Sequence, residues 1–111
     1  MPEPTFLDCC DAPSLDTIRV LYESHHDLEA LQICTACTTY WFYRFHEHVD
    51  WHDGNDDLTS WYTRLSTEEG AHLTHADRTA VDLAYLRRRP SWMDDREGVQ
   101  LVTGAPDHPA S

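Results

Sequence analysis

Four cysteines in a chain of 111 residues are the feature that most limits how this protein can fold. Two of them have the spacing Cys34-x2-Cys37, which lets both thiolates curl around one metal ion while backbone amides point at the sulfurs. The other pair, Cys9 and Cys10, lies upstream. A chain this short buries a thin core, so a bound metal would help to stabilise it. We therefore expect Cys9, Cys10, Cys34 and Cys37 to hold a structural metal ion, zinc.

Adjacent cysteines complicate this ligand set, because neighbouring side chains point apart in an extended chain. An alternative to the four-cysteine site is therefore that only one of Cys9 and Cys10 binds the metal. A histidine would replace the other in a Cys3His site, and the candidates are His25, His26 and His48. Two other interpretations remain open: buried thiols that act as small apolar residues, and redox chemistry. A redox motif of this spacing normally precedes a helix, whereas a strand is predicted here.

Alternation of apolar and polar residues predicts several strands. Residues 17–23 and 28–33 form a first pair around a polar turn. The aromatic run 40–49 is the clearest strand, and it forms a hairpin with 58–65. Residues 99–102 are predicted to form a short edge strand.

A helix is predicted after the second hairpin. Ser66 and Glu69 form a capping box, in which each side chain bonds the other residue's backbone amide. Apolar residues then recur at helical spacing, arginines 87–89 suit the helix C-terminus, and Pro90 ends the helix. The apolar stripe comprises Leu73, Ala76, Ala80, Leu83 and Ala84, and we expect it to pack on the aromatic strands.

Two cysteine sites that flank a hairpin, followed by more β-structure, resemble a zinc ribbon over residues 6–50. The resemblance implies a closed zinc site with four protein ligands, at which catalysis is not expected. The expected fold class is α+β, with a small antiparallel sheet of zinc-ribbon type and one amphipathic C-terminal helix packed on it. The expected boundaries are a flexible N-terminus at 1–5, one domain at 6–103 and a disordered tail at 104–111.

A histidine cluster spans residues 46–52, His-Glu-His-Val-Asp-Trp-His. It resembles the His-x-His-x-Asp-His motif of metallo-β-lactamase-fold hydrolases. The resemblance implies zinc bound by His46 and His48, with Asp50 as ligand or base and His52 at a second metal. Trp51 is an extra residue in the motif, and that fold needs about twice this length. The simpler interpretation is a strand face that is exposed or pairs with acids.

The net charge of −12 indicates what kind of partner the chain can bind. All eight basic residues are arginines, against twenty acids. This field repels phosphate backbones and favours a basic protein, so nucleic-acid binding is not expected. No secretory signal or membrane-spanning run is visible, which predicts a cytoplasmic protein with reduced thiols.

These features predict a small acidic, non-enzymatic, metal-stabilised protein-interaction module. A specific form of this hypothesis is an inhibitor or immunity protein for a basic partner. One alternative is a small zinc-dependent hydrolase that uses His46, His48, Asp50 and His52. Another is a metal sensor or carrier with a labile cysteine site.

Overall fold

The computed structural model describes residues 6–49, 56–76, 83–95 and 97–104. Within these ranges the chain forms one six-stranded antiparallel sheet, in which each strand pairs with the next along the sequence. A short helix and a 3₁₀ helix lie between the fourth and fifth strands. The elements are β1 (Leu15–Glu23), β2 (Asp27–Cys34), β3 (Tyr40–Val49), β4 (Asp56–Leu65), α1 (Thr67–His75), the 3₁₀ helix (Ala84–Arg88), β5 (Pro90–Asp95) and β6 (Gly98–Thr103).

The expected α+β fold of zinc-ribbon type is wrong, because the sheet dominates and the helix covers little of it. The predicted long helix ends at His75, and residues 84–88 form only a 3₁₀ turn. Pro90 does not end a helix but begins β5, a position where a strand tolerates proline. Ala80, from the predicted apolar stripe, lies outside the described residues.

The strand predictions are confirmed more closely. Strand β3 has the predicted bounds, and β1, β2, β4 and β6 begin and end within two residues of the predicted ones. Strands β2 and β3 are inner strands of the sheet, and residues on both of their faces are buried in the two core clusters. The predicted terminal segments 1–5 and 105–111 lie outside the described residues, so the domain boundaries stay predictions.

One face of the sheet, which we call the helix face, carries the larger apolar core. Its buried residues are Leu31, Phe42, Leu65, Leu73 and Leu86. The capping box at Ser66 and Glu69 is confirmed and begins α1 directly after β4. Gly70 lets the helix approach the sheet, because a Cβ there would lie 2.0 Å from Cγ of Tyr40.

The opposite face, which we call the cysteine face, is covered by the N-terminal segment. Leu7, Cys34 and Trp41 are buried together there. The ring of Phe6 packs edge-on against Tyr62 at 5.5 Å and against Trp92 at 6.1 Å. Among the described residues, no helix is both long and apolar enough to cross a lipid bilayer.

Candidate metal centre

The four cysteine side chains converge at one end of the cysteine face. Cys34 is the last residue of β2, and Cys37 lies in the loop that leads to β3. The N-terminal segment brings Cys9 and Cys10 over this loop. All four Sγ atoms lie within 4.8 Å of one another, so one ion at their centre would contact each of them. We call this group the sulfur cluster.

Two of the sulfur separations are close to the edge length of a tetrahedral metal site. The Sγ atoms of Cys10 and Cys34 are 3.8 Å apart, and those of Cys9 and Cys10 are 4.0 Å apart. A tetrahedron with Zn–S bonds of about 2.3 Å has edges of about 3.8 Å. A disulfide needs about 2.05 Å, and all four cysteines are free thiols.

The adjacent pair at 9–10 reaches the same point because the chain is not extended there. Residues 8–12 form a series of bends, which removes the geometric objection to two neighbouring ligands. His26 belongs to the other end of the sheet, where its Nδ1 lies 3.9 Å from Oε2 of Glu47. The exposed ring of His25 stacks beside that of His26 at 6.4 Å. The side chain of His48 lies outside the described residues.

Backbone hydrogen bonds fix the loop that carries Cys34 and Cys37. The amide of Thr35 donates to the carbonyl of Ser14 at 2.7 Å, which ties the loop to the start of β1. The amide of Thr38 donates to the carbonyl of Cys34, also at 2.7 Å. Thr38 has φ of 64°, a left-handed conformation that a β-branched residue rarely adopts. The tight loop therefore holds a strained residue next to the sulfurs.

The two cysteine pairs differ in acidity. Burial acts to raise the pKa of the Cys34 thiol, but backbone hydrogen bonds from Ser14, Cys37 and Ala36 outweigh it and hold the pKa at about 6. A hydrogen bond with the Thr39 hydroxyl lowers the pKa of Cys37. Burial raises the pKa of Cys9 to about 12 and also raises that of Cys10. Four thiols this close need a cation before all can ionise.

The indole of Trp41 lies beside the cluster. Its N–H is buried and makes no hydrogen bond of ordinary geometry within the described residues. It still lies close enough to Cys9 to lower the pKa of that thiol, against the larger effect of burial. A buried N–H without an acceptor is costly, and a metal-bound thiolate at Cys9 would accept it. The residues present therefore fit a bound metal ion.

Of the three histidines in the predicted cluster, only His46 has a side chain within the described residues, and it contacts an acid of the neighbouring strand. His46 Nδ1 lies 2.7 Å from Oδ1 of Asp27, and Arg44 Nη2 donates to the same oxygen at 2.8 Å. Burial raises the pKa of Asp27, but the hydrogen bonds from His46 and Arg44 outweigh it and leave that pKa below its usual range. We call these three residues the ion-pair cluster. Asp50 and His52 lie outside the described residues.

Sequence reasoning placed the histidine cluster on a strand face that is exposed or pairs with acids, and the structure shows such a pairing for His46 and also for its strand neighbour Arg44. It missed the acid itself, Asp27, which comes from the neighbouring strand. Arg44 is 2% exposed, and its guanidinium lies 5.7 Å from the ring of Trp61. A charged residue at a central position of an aromatic strand was the available signal, because such a residue is buried only when paired.

Comparisons with protein-family models, with curated proteins and with solved structures found no match for this chain. The assignment of the site therefore rests on its own geometry. Tetrahedral sulfur ligands suit zinc or iron, and four of them leave no open coordination position.

Proposed function

We propose that this protein is a non-enzymatic interaction module in which the sulfur cluster holds one structural zinc ion and the acidic surface binds a basic protein. The observation that carries the proposal is the convergence of four Sγ atoms within 4.8 Å. Ligands from the N-terminal segment and from the β2–β3 loop would be joined by the metal. Binding free energy at such a site becomes folding free energy.

A structural role for the metal follows from the number of ligands. Catalytic zinc sites keep three protein ligands and leave the fourth position to water or substrate. Here four thiolates would complete the tetrahedron. The metal would then stabilise the fold without activating water, and the function would lie in the surface that the fold presents.

The charge supports a basic partner. With twenty acids and a net charge of −12, the molecule attracts positively charged surfaces and accelerates their encounter. An inhibitor or immunity protein for a basic enzyme is the specific form that we favour. The same field repels nucleic acid, so the partner in this proposal is a protein.

Elemental analysis of purified protein tests the metal site. We expect one zinc ion per chain, and none in Cys34→Ala. Ala36→Ser is the matched control, because it changes the same loop and keeps all four sulfurs. Iron at one per chain would replace zinc in the proposal. A folded wild-type protein without metal would refute it, and a second metal that His46→Ala removes would support the hydrolase alternative.

Binding measurements with purified basic and acidic proteins at increasing salt test the partner. We expect binding to basic proteins that weakens steeply as salt rises, since screening shortens the reach of surface charge. Binding that does not change with salt, or that does not distinguish basic from acidic proteins, would contradict the charge-based part of the proposal.

A further inference from the structure

Strand β6 forms one edge of the described sheet and lacks the usual features that prevent the pairing of another strand. Its six residues, Gly98–Thr103, carry no charge and pair with β5 without a register shift. Strand β1, at the opposite edge, is interrupted by two register shifts. Natural sheets use such irregularities and charged side chains to block pairing at an edge, and β6 has neither. Regular uncharged edges are where extended peptides add to sheets.

A cavity of about 290 Å³ lies beside this strand on the cysteine face, and both apolar and charged side chains line it. Leu101, which is 58% exposed, contributes to it from β6 itself. The volume is at the lower limit for small-molecule sites, about 300 Å³, and suits one large side chain better than a free ligand. The indole and guanidinium groups that line the cavity can stack on an aromatic ring. The cavity is lined by Asp8, Trp41, Arg64, Arg89, Pro90, Trp92 and Leu101.

A second cavity, of about 180 Å³, lies at the Gly98 end of the same strand. Asp95 and Glu97 line it together with residues 98–100 of β6. Two carboxylates beside a strand edge favour a Lys or Arg side chain. The two cavities therefore differ in chemistry and lie along the same strand, whose outer edge pairs with no other strand of the described sheet.

We propose that an extended segment of a basic protein adds to β6 as a seventh, antiparallel strand. One large apolar or aromatic side chain would occupy the larger cavity, and a Lys or Arg would reach the acidic one. Since an antiparallel strand runs from Thr103 towards Gly98, the basic residue should follow the apolar one by about two or three positions at about 3.3 Å per residue. This inference rests on the proposed function and specifies the surface that it uses.

Selection from a phage-displayed library of random dodecapeptides, against zinc-loaded protein, tests the proposal. We expect enriched sequences to share a large apolar residue followed about two or three positions later by Lys or Arg. A synthetic peptide of the enriched sequence should shift the amide resonances of β6. Its affinity should fall at least tenfold in Leu101→Lys, because a charged edge blocks strand addition.

Ile18→Lys is the matched control, because Ile18 is an exposed apolar residue, at 38%, on the opposite edge strand. We expect this variant to bind the peptide as well as wild type does. Absence of enrichment, or binding that Leu101→Lys leaves intact, would overturn the proposal. A dimer in sedimentation that Leu101→Lys abolishes would also overturn it, since a second copy of the chain would then occupy β6.

The metal content of the same preparations separates this inference from the proposed function. If the protein holds one zinc ion and binds basic proteins but selects no peptide through β6, only the inference fails. If it holds no metal and shows no salt-dependent binding, the proposed function fails whatever β6 does.

Discussion

The sulfur cluster and the ion-pair cluster lie at opposite ends of strands β2 and β3 and differ in how their charges are balanced. The ion-pair cluster combines Asp27 with Arg44 and His46, so each charge has its partner within the chain. The sulfur cluster brings together four acidic groups of one kind. The interactions that set their pKa values involve other thiols, backbone amides, Thr39 and Trp41.

This difference determines whether each cluster requires an added cation to balance its charges. The ion-pair cluster is complete, because Arg44 and Asp27 are buried together and neutralise each other. The sulfur cluster becomes fully ionised only if a cation enters, and a divalent metal supplies that charge. The two ends of this hairpin therefore differ in role: the ion-pair cluster balances its charges within the chain, whereas under the proposed function the sulfur cluster would stabilise the fold through a bound metal ion.

Removal of the metal should have the largest effect. Structural zinc contributes about 10–16 kcal/mol in small domains, which is comparable to the whole stability of a typical fold. Because β2 and β3 reach both clusters, we expect a strong chelator or Cys34→Ala to unfold the entire sheet and not only the cysteine end. Circular dichroism measures the loss of the sheet, and thermal unfolding measures the loss of stability.

Ala36→Ser is the control for Cys34→Ala, because it changes the same loop and keeps all four sulfurs. It should retain zinc and the wild-type spectrum, and it should unfold in the strong chelator as wild type does. A protein that releases its zinc to a mild chelator and keeps its spectrum would contradict the structural role. It would favour a metal sensor or carrier with a labile site.

Loss of Arg44 should have the next largest effect. Arg44→Met leaves Asp27 buried without its main cation, and such a change costs about 3–5 kcal/mol. The double variant Asp27→Leu/Arg44→Met removes both charges and should recover most of that loss. Urea unfolding of the zinc-loaded proteins gives the three free energies. A double variant as unstable as the single one would show that the cluster does more than balance charge.

Several parts of the fold and of the candidate site could be predicted from the sequence, each for a physical reason. The aromatic run defined β3 to the residue, because large aromatic side chains favour strands and pack on both faces of an inner strand. The spacing of Ser66 and Glu69 marked the start of α1, because capping is local. The cysteines indicated a common site before any fold was known. Sequence patterns were therefore sufficient to predict those features that depend on residues close together in the chain.

The rest depended on contacts between segments distant in sequence. The partner of Arg44 and His46 is Asp27, which strand register brings opposite them. Strand β5 was missed because its sequence, Pro90–Asp95, is short, acidic and not alternating, and pairing on both sides makes it a strand. Bends at residues 8–12 bring the side chains of two adjacent cysteines to the same site. An extended chain was expected there, so this convergence was not predicted from the sequence.

A smaller effect is expected from Trp41, which sharpens the account of the sulfur cluster. Trp41→Phe keeps the aromatic ring and removes the N–H that lies beside Cys9. Groups that bond metal ligands typically change metal affinity by about 10–100-fold, and we expect a loss at the lower end of that range. Competition with a chromophoric zinc chelator measures it.

Trp92→Phe is the control, since Trp92 is a second partly buried indole that packs against the same core cluster. Its zinc affinity should equal that of wild type. Equal affinity in both variants would assign Trp41 to core packing alone.

The smallest effect should come from Glu69 and Arg89, the partly exposed counterpart of the buried pair. The hydrogen bonds from Arg89 lower the pKa of Glu69 to about 2. A carboxyl with a lowered pKa stabilises the fold above its unfolded pKa, about 4.3, and this contribution is lost as pH falls towards 2. Because both side chains contact solvent, Glu69→Gln should lower the free energy of unfolding by less than about 1 kcal/mol.

Urea unfolding at several pH values, with excess zinc present, tests this prediction. The difference in free energy of unfolding between Glu69→Gln and wild type should be constant above about pH 5 and shrink below about 4.3. A difference that does not change with pH would mean that Glu69 acts through the capping box and not through its charge.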